Sequence, residues 1–227
     1  MKGTLIVLEG TDGSGKATQA ARLAERLARE GFSCRKVDFP RYGEPSCAMV
    51  ETYLAGGFGA HAGDVNAYAA SLFYAMDRFA AVRQDWGAFY EQGGIIIADR
   101  YTTSNAVHQA PKLPEGERQA YLDWLFDTEY RLLGIPKPDL VLYLDMPPAV
   151  SGALLKGRQA STHTSGDIHE RDGAYLAASR ENGRALAQRL GWHLIDCAIS
   201  GAPRPIDEIA SEVYEAAAAV LPAQEEM

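Results

Sequence analysis

The chain has few cysteines, no long apolar run and no excess of positive charge, and each shortage argues against a class of protein. Its three cysteines, Cys34, Cys47 and Cys197, lie far apart without a C-x-x-C pair, which argues against a disulfide framework or a zinc site. No apolar stretch approaches the roughly 18 residues that span a bilayer. With 22 Lys and Arg against 30 Asp and Glu, the net charge is −8. We therefore expect it to bind neither nucleic acid nor membranes.

Hydrophobic residues make up 47% and charged residues 23% of the 227 residues, so the chain can bury a core. This length predicts one domain, which we assign to residues 1–221, followed by a flexible tail at 222–227. The first residues lead directly into an apolar run without the pattern of a signal peptide. We therefore expect a soluble, cytoplasmic protein that holds any anionic ligand with a local cluster of positive groups.

Short apolar runs of strand length alternate along the chain with segments of helical periodicity. The runs lie at residues 4–8, 34–39, 94–98, 140–144 and 192–195. The clearest helical segment is 16–30, whose apolar residues fall on one face before Gly31 provides a C-terminal cap. Apolar runs separated by helices are typical of parallel strands buried on both faces. The sequence predicts an α/β fold of roughly five parallel strands with helices on both faces.

A glycine-rich segment between the first apolar run and the first helix has the pattern G-x-x-x-x-G-K of a phosphate-binding loop. Its glycines allow successive backbone N–H groups to point at one phosphate, the helix N-terminus adds partial positive charge, and the lysine reaches the outer phosphates. We predict that this loop binds the phosphates of a nucleotide. Its residues are Gly10, Thr11, Asp12, Gly13, Ser14, Gly15, Lys16, Ala17 and Thr18.

The eighth position of this pattern normally supplies a hydroxyl to Mg²⁺, and here it is Ala17. Thr18, one residue later, lies roughly 100° further round the helix and does not replace that hydroxyl. Two interpretations stay open. Either acidic residues and water hold the metal, or the nucleotide is bound without efficient turnover.

A second anion site is predicted where the third apolar run ends in Asp99 and Arg100. Ligands of open parallel sheets lie beyond the carboxyl ends of the strands, so this pair should emerge at the same edge as the glycine-rich loop. An aspartate there can bind a metal-bound water, and the adjacent arginine can make two contacts to a second phosphate.

Five motifs, in this order and at similar spacings, resemble those of thymidylate kinases. They are Glu9–Lys16, Phe39-Pro40, Phe73–Arg78, Asp99–Tyr101 and Leu142–Pro148. The resemblance extends from about residue 2 to 221 and implies a three-layer P-loop kinase fold with a five-stranded parallel sheet and a small lid. It further implies a homodimer that transfers the γ-phosphoryl group of MgATP to dTMP, giving dTDP and ADP for dTTP synthesis.

The resemblance also implies a donor site. Lys16 and the loop amides would hold the ATP phosphates, and Asp99 would lie in the water shell of Mg²⁺. Asp12 would lie near both the metal and the acceptor sugar. The polar stretch 157–168 is the candidate lid, which we place at about 157–170. Its Arg158 would reach the γ-phosphate, and its Glu170 would reach the metal through water.

For the acceptor, the resemblance implies that Arg100 holds the phosphate of dTMP, Tyr74 stacks on thymine, Arg78 hydrogen-bonds the thymine edge and Asn105 reads the pyrimidine amide. Tyr74 and Arg78 are four residues apart in a helical stretch, so they share one face and can line one pocket. Other expected acceptor-site residues are Asp12, Phe39, Arg41 and His108.

Two alternatives stay open. The first is a related kinase that acts on another nucleoside monophosphate or on a deoxynucleoside, whose hydroxyl would need a carboxylate base such as Glu9. The second is a homologue that binds nucleotides without transferring phosphate, because of Ala17. A GTPase-type switch is disfavoured because residues 136–139 lack the asparagine of N-K-x-D and precede their strand.

Overall fold

The centre of the fold is a parallel sheet, seen in a computed structural model that describes residues 2–154 and 173–223. The strands are β1 (Thr4–Glu9), β2 (Cys34–Asp38), β3 (Ile95–Asp99), β4 (Leu140–Asp145), β5 (His193–Asp196), β6 (Ala198–Ile199) and β7 (Ala202–Pro203). Five of them form the parallel sheet in the order β2-β3-β1-β4-β5, and β6 and β7 form an antiparallel pair after β5. The predicted α/β fold with five parallel strands is confirmed.

Helices surround this sheet, with short 3₁₀ and π segments between them. The α-helices are α1 (Lys16–Arg29), α2 (Ala48–Leu54), α3 (Ala67–Ala81), α4 (Gly87–Glu91), α5 (Thr102–Gln109), α6 (Arg118–Phe126), α7 (Gly173–Leu190) and α8 (Ile206–Ala218). Helix α1 ends where predicted, because Gly31 adopts φ +89° and lets the Phe32 N–H reach the Leu27 carbonyl at 3.0 Å.

The central strands are apolar along their length because both faces of the sheet are covered. On one face, Ile6 and Leu8 pack with α1 and α8 in one buried cluster. On the other face, Leu5 and Val7 pack in a second cluster that contains Trp86. This arrangement confirms the three layers.

Because the strands are parallel, their carboxyl ends meet at one edge of the sheet. Leu8 of β1 lies beside Asp99 of β3, and Asp99 lies beside Asp38 of β2. The chain therefore leaves three neighbouring strands at this edge, and the predicted phosphate loop and Arg100 both follow there.

The predicted lid at 157–170, with Arg158 and Glu170, lies outside the described residues, as do residues 224–227 of the predicted tail. No helix in 2–154 or 173–223 has the length and apolar character needed to cross a membrane.

Candidate active site

The glycine-rich loop wraps the N-terminus of α1 as its sequence predicts. Gly10 has φ +148°, and a Cβ there would lie 2.6 Å from the Leu144 carbonyl oxygen, so no larger residue fits. The buried Lys16 reaches back across the loop, and its Nζ donates to the Thr11 carbonyl at 2.9 Å. Burial lowers the pKa of Lys16, and the nearby Arg100 lowers it further, which favours an anion at this place.

A cavity of about 720 Å³ opens over this loop. Residues 12–18 of the predicted loop line it, with Asp38 and Asp99 at the strand edge, whereas Gly10 and Thr11 lie outside its lining. Another part of the lining is mostly apolar but includes Arg204, which sequence reasoning missed because it lies in a loop outside every motif. This part is formed by Met146, Leu154, Pro203, Arg204, Pro205, Ile206 and Ile209.

A second cavity adjoins the first. Of the predicted acceptor-site residues, the structure places Asp12, Phe39, Tyr74, Arg78, Arg100, Asn105 and His108 in its lining. The two cavities have Asp12, Phe39, Pro40, Tyr42 and Arg100 in common. They therefore meet at Arg100, between the glycine-rich loop and α3.

Arg100 lies at the centre of the polar contacts where the cavities meet. Its Nη2 donates to Asp12 Oδ1 at 2.6 Å, and its Nη1 lies 3.2 Å from both Ser104 Oγ and His108 Nε2. Its backbone has φ +69°, an uncommon conformation for a residue with a side chain, and its N–H donates to the Leu8 carbonyl at 3.0 Å. The sheet edge thus holds Arg100 in a strained conformation that turns it toward the loop.

The charges of this junction depend on one another. Burial raises the pKa of Asp12, but Arg100 and Lys16 together lower it by more, so the pKa stays well below its usual range. Asp12 is therefore ionised at neutral pH and neutralises part of the positive charge of Arg100 and Lys16.

Glu9, at the end of β1, is fully buried and lies outside the lining of both cavities. Its carboxylate accepts hydrogen bonds from the Thr103 and Ser104 hydroxyls at 2.8 Å and from the Gly10 N–H at 2.9 Å. Arg100 Nη1 lies 3.6 Å away. This carboxylate holds the start of α5 against the glycine-rich loop.

Arg78 has a partner that sequence reasoning missed. It is 1% exposed, and it donates from Nε and Nη2 to the two carboxylate oxygens of Glu129 at 2.7 and 2.6 Å. Its sequence neighbour Asp77 faces another way and accepts from Arg41 Nε at 3.1 Å and Ser46 Oγ at 2.7 Å. Arg41 is thus tied to α3 and does not line the second cavity.

Asn105 has a fixed orientation. Its Nδ2 donates to the Ser71 carbonyl at 3.2 Å, and its backbone carbonyl accepts from Tyr121 Oη at 3.2 Å. The Ser71 carbonyl oxygen can only accept a hydrogen bond, so the side-chain nitrogen of Asn105 must face it. The side-chain oxygen Oδ1 is then the atom that can accept a hydrogen bond from a ligand. Nearby, Tyr175 Oη donates to the His108 carbonyl at 2.7 Å, a contact from α7 that sequence reasoning also missed.

A model of the thymidylate kinase family matches residues 8–201. The chain belongs to the thymidylate kinase family. Thymidylate kinase of Mycobacterium tuberculosis is 34% identical over 170 residues, which is 74% of this chain and 78% of that protein. The human thymidylate kinase is 30% identical over 145 residues, 64% of this chain and 62% of that one. A solved thymidylate kinase from Candida albicans matches the fold with a TM-score of 0.67 and 22% identity, covering 94% of this chain and 90% of the other.

Proposed function

We propose that this member of the family is a dTMP kinase, which transfers the γ-phosphoryl group of MgATP to dTMP and yields dTDP and ADP for dTTP synthesis. The observation that carries the proposal is the junction of the two cavities at Arg100 and Asp12. A donor over the glycine-rich loop and an acceptor in the second cavity would meet there end to end, as in-line transfer requires.

The donor would place its phosphates on the loop amides and Lys16 and its base against the mostly apolar part of the larger cavity. That part suits a planar base, because Pro203, Pro205 and Ile206 give it apolar walls. The buried ammonium of Lys16 would neutralise charge on the outer phosphates.

The acceptor would place its phosphate on Arg100 and its base between Tyr74, Arg78 and Asn105. Asn105 Oδ1 accepts and Arg78 donates, which matches the N3–H and O4 of thymine or uracil. Cytosine presents the opposite pattern, an N3 acceptor and a 4-amino donor, so it would leave buried groups unpaired. Phe39 and His108 would complete the walls around the sugar and base. Arg41, which does not line this cavity, would reach the acceptor only by leaving Asp77.

No general base is needed for this reaction. The phosphate of a nucleoside monophosphate carries close to two negative charges at neutral pH, so its oxygen is already a nucleophile. The residues then contribute alignment and neutralisation of charge, with Lys16 on the donor, Arg100 on the acceptor and Arg158 of the lid on the transferred group.

Mg²⁺ bound with ATP would supply positive charge beside the transferred phosphoryl group. Within residues 2–154 and 173–223, no three His, Cys, Asp or Glu side chains are grouped closely enough to hold a metal ion. Carboxylates that reach the metal through water suit this donor set, since Mg²⁺ keeps several waters. We assign Asp12 and Asp99 to that role and, in the lid, Glu170.

We also infer a cytoplasmic homodimer whose protomers each carry both cavities in one domain, residues 1–221. The exposed face of α3 supports the dimer, because Tyr68, Leu72 and Met76 recur every fourth residue and are 37–44% exposed. Replacing Leu72 with Glu should yield monomers in light scattering, and an unchanged mass would refute this assignment. The net charge of −8 gives no reason to expect nucleic acid as a partner.

Steady-state turnover with MgATP across dTMP, dUMP, dCMP, CMP and thymidine tests the proposal. We expect dTMP to have the highest kcat/KM, dUMP to be accepted and the cytosine nucleotides to be poor substrates. Equal or better rates with thymidine would support the deoxynucleoside alternative, although the hydrogen-bonded Glu9 carboxylate argues against it. Binding of MgATP without turnover of any acceptor would support the binding-only alternative based on Ala17.

A further inference from the structure

A carboxylate without an assigned role lies directly behind the predicted base site. Glu129 is fully buried, and each of its carboxylate oxygens accepts a hydrogen bond from Arg78. Oε2 accepts a further hydrogen bond from Thr102 Oγ1 at 2.8 Å. Breaking such a buried pair is strongly unfavourable, because it leaves one charge uncompensated.

The pairing decides which part of Arg78 can face a ligand. A guanidinium has five N–H donors in a rigid plane. Glu129 takes one from Nε and one from Nη2, and the Tyr101 carbonyl lies 3.4 Å from Nη1. The donors that remain are on Nη1 and Nη2, the edge opposite the aliphatic stem, and Arg78 lines the second cavity.

Burial lowers the pKa of Arg78, but the charge and hydrogen bonds of Glu129 together raise it by more. Arg78 therefore stays charged in the core, and its guanidinium keeps one orientation when no ligand is bound. An arginine held in this way loses little conformational entropy when a ligand accepts from it.

We propose that Glu129 is a positioning residue for the acceptor base: by clamping Nε and Nη2 of Arg78, it aims the remaining donors at a ring carbonyl of a pyrimidine nucleotide. Glu129 itself touches no substrate. The proposal rests on the proposed function, and it adds a residue that determines acceptor affinity and selectivity without contributing to the phosphate chemistry.

The sequence position of Glu129 fits this role. It lies in a π segment, Asp127–Leu132, that follows α6 directly. π segments widen the helical turn and redirect side chains, and they recur at functional sites. Its partner Thr102 begins α5, two residues after Arg100. Glu129 thus ties the helix that carries Arg78 to the segment that carries the predicted phosphate ligand.

The test is Glu129→Gln, which keeps the shape but removes the charge and one acceptor. We expect the KM for dTMP to rise by about tenfold or more, with kcat within roughly threefold and the KM for MgATP unchanged. Selectivity for dTMP over dCMP should fall as well. Asp127→Asn is the matched control: it makes the same chemical change two residues away in an exposed pair with Arg131, and it should change none of these values.

If Glu129→Gln does not fold, Glu129→Asp replaces it. It keeps the buried negative charge beside Arg78 but draws the carboxylate back from Nε and Nη2, and it should raise the KM for dTMP in the same way. A wild-type KM for dTMP in either Glu129 variant, or a parallel rise for dTMP and ATP, overturns the proposal.

Calorimetric titration of dTMP separates this proposal from the proposed function. If the wild-type protein binds dTMP but does not turn it over, the proposed function is overturned and the role of Glu129 is not. The loss of dTMP affinity in Glu129→Gln is then measured directly by calorimetry. Absence of wild-type dTMP binding overturns both.

Discussion

Replacing Arg100 with Met should lower the kcat/KM for dTMP and the free energy of unfolding, by amounts that follow from different contacts of its guanidinium. The side chain keeps its length and apolar stem but loses the guanidinium that contacts Asp12 at 2.6 Å and lies 3.6 Å from the buried Glu9. Asp12 and Glu9 would then lose this cation. Because the Arg100–Asp12 pair is only partly buried, we expect a loss of about 1.5–3 kcal/mol in the free energy of unfolding, below the cost of breaking a fully buried pair.

The loss in activity follows from the hydrogen bonds to the acceptor phosphate. Two charge-assisted hydrogen bonds of about 1.5–3 kcal/mol each give a loss of about 10²–10⁴ in kcat/KM for dTMP. The assay couples ADP formation to an optical readout, with urea unfolding as the measure of stability.

The pH dependence of the stability loss provides a second check. Arg100 lowers the pKa of Asp12, so the stability that it contributes is present above the unfolded pKa and is lost as pH falls. The difference between the variant and the wild type should therefore shrink in acid. Arg22→Met is the matched control, since Arg22 pairs with Asp207 on the surface. A change in kcat/KM of Arg100→Met no larger than that of the control would refute the reasoning.

Three further predictions concern the loop and Lys112, a partly buried lysine. Lys16→Met should lower kcat/KM by about 10²–10³ without changing the circular dichroism spectrum, since it removes one preorganised cation; wild-type kinetics would contradict its assignment. Ala17→Ser should lower the Mg²⁺ concentration for half-maximal activity by roughly threefold to tenfold, because it supplies a hydroxyl at the helix start, and an unchanged Mg²⁺ titration would argue against that geometry. Burial lowers the pKa of Lys112 from 10.5 to about 8, so the native ammonium loses its proton before the unfolded one. In urea unfolding at pH 8, Lys112→Met should therefore be more stable than the wild type, and the difference should shrink as the pH rises to 10.5. A difference that stays constant over this range would contradict the shifted pKa.

The sequence predicted the sheet well because its strands are buried on both faces. Runs such as 94–98 are apolar throughout, so each could be recognised as a strand without deciding which residues face the core and which face solvent. The observed ends differ by about one residue because Glu9, Asp99 and Asp145 continue their strands as polar residues at the functional edge. The junction of Arg100 with the glycine-rich loop also followed from parallel topology alone.

Side-chain pairing on helices was harder to predict. Asp77 and Arg78 are adjacent in sequence, and adjacency alone suggests an ion pair between them. Adjacent helical residues point roughly 100° apart, so they face different neighbours. Asp77 contacts Arg41, and Arg78 contacts Glu129, 51 positions away. Contacts of this kind depend on how helices pack, and no local pattern in one sequence encodes them.

The central claim is that donor and acceptor bind end to end in adjoining cavities. A bisubstrate analogue in which adenosine and thymidine are joined 5′ to 5′ through five phosphates tests it most directly, through its inhibition pattern. The account predicts that this compound competes with both MgATP and dTMP and binds more tightly than either substrate. Competition with only one of the two substrates would contradict it.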